Sequence, residues 1–261
     1  MSEAVKVVKR GHVLEVTLDR PKANAIDVAT SKALGEAFVR LRDDPDLRVG
    51  IMTAAGDRIF SAGWDLKAAD RDNLVGRWWE TDYGPGSFAG LTELWDLNKP
   101  VIAALNGSAA GYGLDLALGA DIRVMAQSAK LAASYAKRGV LPESGGTWYL
   151  PRLLGWAKAA EIIFTGRTLD AEQSLALGLV NSVVPDAEVM GAARALALEI
   201  AANAPLAVQA AKRMMRMAWN EPFNEHVHHV FLQLLPLMQT EDMKEGIRAF
   251  LEKREPQFKG R

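Results

Sequence analysis

The order of apolar and polar residues predicts strands in the first half of the chain and helices in the second. Residues 5–8 and Val13–Leu18 cluster β-branched residues on either side of Gly11-His12, which predicts a β-hairpin. Residues 27–41 repeat apolar side chains at helical spacing after Asp27, a candidate N-cap. Three further apolar runs are typical of buried strands: residues 49–53, Val101–Leu105 and Ile122–Ala126. This alternation predicts a mainly parallel α/β arrangement.

The pattern changes twice along the chain. Between residues 70 and 90, aromatic side chains lie among glycine and proline, which predicts a long loop that is either functional or mobile. Beyond residue 156 helical periodicity dominates, and residues 241–254 are amphipathic. The predicted helices of this part are 157–165, 171–177, 188–202, 205–219, Phe223–Leu237 and 241–254.

The composition narrows the class of protein. The chain has 261 residues, of which 49% are hydrophobic, so it can form one large domain or one domain with a small appendage. The absence of cysteine excludes disulfides, thiolate catalysis and cysteine-bound metals. A net charge of −1 without a long basic run argues against nucleic acid as a partner. The first ten residues contain no apolar signal core, and no run is long enough to span a bilayer, so we expect a cytoplasmic protein with no membrane partner.

Two glycine-containing segments carry the first indication of chemistry. They are residues 60–66 (FSAGWDL) and 106–115 (NGSAAGYGLD), and each follows an apolar, strand-like run. The second segment leads into a helix-like stretch, and a helix N-terminus presents unpaired amide groups and a favourable dipole to an anion. Two amide groups aimed at one point can stabilise a developing oxyanion. The two segments together therefore indicate an enzyme that forms an enolate or a similar anion.

These segments resemble the crotonase, or enoyl-CoA hydratase/isomerase, superfamily, and the resemblance extends over essentially the whole chain. It also includes DRPKANA at residues 19–25, KPVIAA at 99–104 and FLEKR at 250–254. Within the family, residues 20–27, 60–68 and 84–93 are most similar to bacterial carnitinyl-CoA dehydratases. The resemblance implies an α/β fold of the ClpP/crotonase type, a spiral of ββα units with a C-terminal helical trimerisation region. It places the acyl-CoA-binding core at residues 1–200 and the oligomerisation region at residues 201–261.

The resemblance also implies a substrate and its contacts. The expected substrate is an acyl-CoA thioester, so coenzyme A enters as part of the substrate and no cofactor is bound permanently. The chain is expected to assemble as a homotrimer or a dimer of trimers. The N–H groups of Ala62 and Tyr112 are expected to form the oxyanion hole. The expected substrate and CoA contacts are Lys22, Ala23, Ala25, Tyr135, Lys253 from a neighbouring subunit, and the thioester-end residues Ala62, Gly63, Trp64, Asp65, Leu66 and Lys67. Lys22 and Lys253 could instead be ordinary solvated surface charges. Tyr112 is unusual, because glycine is common at that position, and its side chain either narrows the acyl pocket or packs outward.

The acids distinguish branches of the family. Hydratases use two glutamates, and the matching positions here are Asp115 and Tyr135; a tyrosine, with an ordinary pKa of about 10, is a poor base at neutral pH. Glu143 matches a catalytic acid of family isomerases, although a carboxylate there could instead cap the following helix. We expect Glu143, assisted by Asp115, to move a proton in a hydration, dehydration or double-bond isomerisation. The alternative is an acyl-CoA-binding homologue with impaired catalysis, which the loss of the second glutamate favours.

Two further groups of residues, three histidines and a set of aromatic side chains, carry weaker patterns. His226, His228 and His229 are close in sequence, but their spacing does not put all three on one helical face, and no metal site is expected. An aromatic lining for the acyl group is predicted from Trp64, Trp78, Trp79, Tyr83 and Tyr112. Such a lining suits a quaternary ammonium through cation–π contact, or an aromatic or alicyclic acyl group.

Overall fold

The computed structural model describes residues 4–75, 77–87 and 90–261, together with the backbone but not the side chain of Trp78. The strands are β1 Val5–Arg10, β2 Val13–Leu18, β3 Val49–Ala54, β4 Ile59–Ser61, β5 Val101–Leu105, β6 Ser108–Ala110, β7 Ile122–Ala126, β8 Leu131–Ala132, β9 Thr168–Leu169 and β10 Ser182–Val184. The helices are α1 Val28–Asp43, α2 Leu66–Arg71, α3 Tyr112–Gly119, α4 Gly146–Leu154, α5 Trp156–Thr165, α6 Ala171–Ala176, α7 Val189–Ala201, α8 Pro205–Ala218, α9 Phe223–Leu237 and α10 Glu241–Glu252.

The strands form two sheets. The larger sheet has the order β1-β2-β3-β5-β7-β10, antiparallel between β1 and β2 and parallel elsewhere. The smaller sheet has the order β4-β6-β8-β9 and ends in an antiparallel pair. Strands β3 and β5 are buried along their whole length, as expected for parallel strands covered on both faces. The predicted hairpin and the mainly parallel α/β arrangement are confirmed.

The helices were predicted correctly where the apolar pattern repeats over several turns. Helix α1 begins after Asp27, whose side chain accepts a hydrogen bond from the Thr30 N–H and so satisfies one orphan amide of the first turn. The six helices predicted beyond residue 156 all occur, with bounds that differ by at most two residues. Helix α4 and the short strands of the smaller sheet were not predicted. The expected loop after residue 70 contains the end of α2 and a short 3-10 turn, Trp78–Glu80.

A buried lysine anchors the C-terminal helices to the larger sheet. Lys212 on α8 donates to the carbonyl of Lys99 at 2.8 Å and to Asp121 at 2.6 Å, and Asp121 also accepts from the Val101 N–H at the start of β5. Burial lowers the pKa of Lys212 to about 8, and the neighbouring Asp121 carboxylate opposes that decrease. Within the described residues, no helix is both long and apolar enough to cross a membrane.

Candidate active site

The two glycine segments meet at the carboxyl ends of β4 and β6, which pair in parallel. Gly63 has a φ of +88°, and a Cβ atom there would lie 2.7 Å from the Ala110 carbonyl oxygen and 3.0 Å from the Tyr112 nitrogen. Only a residue without a side chain can bend in this way and approach the start of α3 so closely. The fold therefore brings residues 60–66 and 106–115 together, as the sequence predicted.

The backbone amides of the first segment are used in different ways. The Ala62 N–H donates to the Ala23 carbonyl at 3.0 Å, so it is engaged within the chain, in contrast to its expected role as an oxyanion donor. The Gly63 N–H donates to the Ser61 hydroxyl at 3.1 Å. A parallel bridge joins Trp64 to Ile26 through the Gly63 carbonyl and the Asp65 N–H. Because successive backbone groups of an extended segment point to opposite sides, this bridge directs the Trp64 N–H away from Ile26.

The second segment forms the N-terminus of α3. Gly111 is its N-cap, with a φ of 52° and a ψ of −123°, and Tyr112 is its first residue. All eight residues of α3 are buried, so the helix presents its positive end to a protein environment from which water is largely excluded. The Tyr112 N–H lies at that end and is suited to meeting a developing negative charge.

Asp115 lies one turn into α3 and is completely buried. Its Oδ1 accepts a hydrogen bond from the Tyr135 hydroxyl at 2.5 Å, and its Oδ2 has no hydrogen-bond partner among the described residues. Burial raises the pKa of Asp115 to about 8, and the nearby charge of Glu143 adds to the rise, while hydrogen bonds from Tyr135 and the Ser144 amide oppose it. Asp115 is therefore mostly a neutral carboxylic acid at pH 7.

Glu143 lies on the loop that crosses Asp115 before α4 begins. The loop comes close because Gly146 lacks a side chain: a Cβ atom there would lie 2.3 Å from Asp115 Oδ1. Glu143 is exposed at the surface, yet partial desolvation raises the pKa of its carboxyl group. Two carboxyl groups in unequal environments thus face the same region, one fully buried and one open to solvent.

The predicted aromatic lining is found in part. The Trp64 ring packs edge-to-face on Tyr83 at 5.2 Å and on Tyr112 at 6.3 Å between centroids, and both tyrosines are buried. The Tyr112 side chain thus packs inward, and burial, followed by the charges of Asp115, Glu143 and Glu93, raises the pKa of its hydroxyl. Trp79 is 64% exposed and does not line a buried pocket. The side chain of Trp78 lies outside the described residues.

Arg20, which the sequence analysis did not select, ties the two predicted CoA-contact segments together. Its guanidinium donates to the Ala25 carbonyl at 3.0 Å and forms ion pairs with Asp27 at 2.9 Å and Asp65 at 2.8 Å. Burial alone would raise the pKa of Asp65, but hydrogen bonds from the Ala68 amide and Arg20 lower it overall. Asp65 also caps α2 through the Lys67 and Ala68 amides, both at 3.1 Å. The sequence carries no clear signal for this cluster, because Asp65 lies 45 residues from Arg20 and only the fold brings the two side chains together.

The remaining predicted contacts are distributed over the surface. Lys22, Leu66 and Lys67 are exposed near the Arg20 cluster, whereas Lys253 is exposed at the C-cap of α10. His226 and His229 both contact Glu221, at 3.2 and 3.0 Å. No group of three or more metal-ligating side chains occurs in the part of the chain that the structure describes.

Comparisons with known proteins agree with this geometry. A sequence model described as "Enoyl-CoA hydratase/isomerase" matches residues 9–261. A protein named carnitinyl-CoA dehydratase from Salmonella paratyphi A is 49% identical over 265 residues, covering all of both chains. A crystal structure of enoyl-CoA hydratase from Mycobacterium tuberculosis H37Rv is 37% identical with a TM-score of 0.91, and covers all of both chains. An enoyl-CoA hydratase structure from Bacillus anthracis is 31% identical with a TM-score of 0.91, over 99% of this chain and 100% of that one.

Proposed function

We propose that this chain, a member of the enoyl-CoA hydratase/isomerase family, removes water reversibly from a 3-hydroxyacyl-CoA through a thioester enolate. The family and the relatives support an acyl-CoA enzyme of hydratase or dehydratase type. One observation carries the proposal: the completely buried carboxyl group of Asp115 and the solvent-facing carboxyl group of Glu143 both lie beside the N-terminus of a buried helix. Dehydration needs these three elements, namely a base, an acid and an anion-stabilising group.

The oxyanion hole is proposed to consist of the Tyr112 and Trp64 N–H groups. Tyr112 keeps its expected role because it opens α3, where the helix dipole favours negative charge. Trp64 replaces Ala62 in this proposal because the Ala62 N–H donates to Ala23, whereas the Trp64 N–H is directed away from Ile26. Removing one donor of this kind typically costs a factor of roughly 10² to 10³ in turnover.

The two carboxyl groups take different roles because their environments separate their pKa values. Glu143, open to solvent, acts as the base that removes the proton from the α carbon. The electron pair of that C–H bond moves into the enolate, whose oxygen the two N–H groups stabilise. Asp115, largely protonated at pH 7, donates its proton to the departing hydroxyl as the bond from the β carbon to oxygen breaks. Water leaves, and proton return from Glu143 to Asp115 through solvent completes the cycle.

A second function uses the same groups. Tyr135 stands where a second hydratase glutamate was expected, and this favours a double-bond isomerase, in which Asp115 returns the proton to the γ carbon. The same replacement by Tyr135 is the reason for the other alternative, an acyl-CoA-binding protein with impaired catalysis.

The acyl group is proposed to carry a cationic end, such as the trimethylammonium of a carnitinyl group. The packed rings of Trp64 and Tyr83, beside the acids that surround Tyr112, suit such a cation.

Substrate binding and assembly complete the proposal. CoA is proposed to run along residues 22–25 and 62–67, which Arg20 holds together, with Lys22 near the nucleotide.

Helix α9 has no buried residue, and α10 exposes Phe250 and Leu251. We therefore propose that residues 201–261 form a homo-oligomer interface, trimeric or hexameric, which brings Lys253 to a neighbour's CoA phosphates. The division from the core at residue 200 and a cytoplasmic location remain part of this proposal.

Turnover of a small panel of CoA thioesters tests the function. The wild type and the Glu143→Gln and Asp115→Asn variants are incubated with crotonyl-CoA, a 3-enoyl-CoA and crotonobetainyl-CoA, and the enoyl absorbance is followed. Dehydratase action predicts hydration of a 2-enoyl-CoA in the reverse direction and a loss of roughly 10² to 10⁴ in rate in both variants. Conversion of only the 3-enoyl-CoA would favour the isomerase. Full activity in both variants would exclude the assigned acid and base.

A further inference from the structure

The Tyr135 hydroxyl contacts both the proposed acid, Asp115, and the N-cap residue of α3, Gly111. It lies 2.5 Å from Asp115 Oδ1 and 2.9 Å from the Gly111 carbonyl oxygen. The side chain is 3% exposed and projects from the residue that precedes the short 3-10 turn Ala136–Arg138. Strand β8 brings it there by pairing with β6, where Ala132 lies opposite Ala110. Tyr135, which occupies the place of a hydratase glutamate, therefore makes two specific polar contacts with α3.

A hydroxyl group has one hydrogen to donate but can also accept. When Asp115 is ionised, Tyr135 donates to its Oδ1. When Asp115 is protonated, the carboxylic acid can donate to Tyr135, and the Tyr135 hydrogen is then available to the Gly111 carbonyl. The short chain of groups thus couples the protonation state of Asp115 to the hydrogen bonds of Gly111.

The Gly111 carbonyl belongs to the same planar peptide group as the Tyr112 N–H. That carbonyl already accepts from the Leu114 and Asp115 amides at 2.8 and 3.2 Å, which hold the peptide at the start of α3. A further hydrogen bond to the carbonyl polarises the amide and strengthens its N–H as a donor, because hydrogen bonds in a chain reinforce one another.

We propose that Tyr135 is a positioning residue that orients the Asp115 acid and strengthens the Tyr112 N–H as an oxyanion donor when Asp115 carries its proton. Tyr135 touches no reacting atom in this scheme and acts through its two neighbours. The inference rests on the proposed function, since it assigns a role within the same oxyanion site. It predicts that the acid form of Asp115 and the strongest oxyanion hole occur together.

The test uses Tyr135→Phe, which keeps the ring and removes the hydroxyl, with Tyr149→Phe as a matched control at another buried tyrosine. The first readout is the absorption maximum of bound 3-phenylpropenoyl-CoA, a conjugated thioester whose absorption moves to longer wavelength as its carbonyl is polarised. The second is the pH profile of kcat. The ionisable groups that face Asp115 are Tyr135 after β8, Tyr112 on α3 and Glu143 before α4, with Glu93 facing Tyr112.

In Tyr135→Phe we expect a smaller red shift and a kcat lower by roughly tenfold to a hundredfold, as for loss of a hydrogen bond to a charged group. The limb of the profile that reports Asp115 should move to higher pH, because the hydroxyl that stabilises the carboxylate is gone. KM should change little, and Tyr149→Phe should match the wild type. A folded Tyr135→Phe enzyme with the wild-type red shift and pH profile would overturn the inference.

Two further outcomes separate the inference from the function on which it rests. If the wild type binds the probe without a red shift, the oxyanion hole and the proposed function fail with it. If Tyr135→Phe does not fold, 3-fluorotyrosine at position 135 replaces it, because this near-isosteric side chain is a stronger donor. The Asp115 limb should then move to lower pH than in the wild type, and an unmoved limb would overturn the inference.

Discussion

Replacing Asp115 by asparagine removes the buried carboxyl group whose pKa rises from 3.8 to about 8 on folding. Between these two pH values the folded chain binds more protons than the unfolded chain, so its stability falls as the pH increases. From about pH 5 to about pH 8 the decrease is about 1.4 kcal/mol per unit, or about 4 kcal/mol in all. The asparagine variant has no such titration, and its amide can still accept from the Tyr135 hydroxyl at the position of Oδ1.

The free energy of unfolding is measured by urea denaturation across this pH range at one fixed protomer concentration, because assembly also contributes to stability. Asp115→Asn should be more stable than the wild type at about pH 8 by up to about 4 kcal/mol, reduced by about 1–3 kcal/mol if the new buried N–H group finds no acceptor. The advantage should shrink by about 4 kcal/mol towards about pH 5. Asp57→Asn, at an exposed aspartate, is the matched control and should follow the wild type. Parallel pH dependences for Asp115→Asn and wild type would refute the assignment of a protonated, buried Asp115.

Three other substitutions test separate parts of the structure. Gly63→Ala should cost about 1–3 kcal/mol in urea unfolding and abolish most turnover, because it strains a left-handed backbone and places a Cβ atom 3.0 Å from the Tyr112 nitrogen; wild-type turnover would contradict the close approach. Lys212→Met should destabilise the chain by about 1–3 kcal/mol because its hydrogen bonds to the Asp121 carboxylate and the Lys99 carbonyl are lost, while Asp121 itself stays open to solvent; an unchanged melting temperature would count against this anchor. Phe250→Asp, at a side chain that is 82% exposed, should shift sedimentation towards smaller species, and an unchanged distribution would remove Phe250 from the interface.

The elements that could be predicted from the sequence are those long enough to repeat their apolar pattern several times. Helices such as Phe223–Leu237 and buried strands such as Val101–Leu105 repeat apolar residues often enough to be recognised. The strands of the smaller sheet contain two or three residues, too few for a period, and their pairing depends on distant partners. Helix α4 was missed because Gly145 is its N-cap, Gly146 is its first residue and Pro151 lies inside it, and glycine and proline both weaken a helical pattern.

The site was predicted to a similar extent. Glycine spacing indicated the two segments that the fold brings together, whereas the family resemblance singles out Asp115 and Glu143, whose catalytic roles stay predictions. Sequence could not show that the Ala62 N–H is engaged by Ala23, since that contact depends on how residues 20–27 cross the segment. Nor could it show that the Tyr135 hydroxyl reaches both Asp115 and Gly111, because β8 brings it there by long-range pairing.

The central claim is that this chain makes a thioester enolate with Glu143 as the base, and exchange of the α protons of butyryl-CoA in D₂O tests it directly. Butyryl-CoA has no leaving group, so deuterium at the α carbon, measured by mass spectrometry, reports enolate formation alone. The account predicts steady incorporation by the wild type and a rate lower by roughly 10² to 10⁴ in Glu143→Gln. Binding of butyryl-CoA without any deuterium incorporation by the wild type would contradict it.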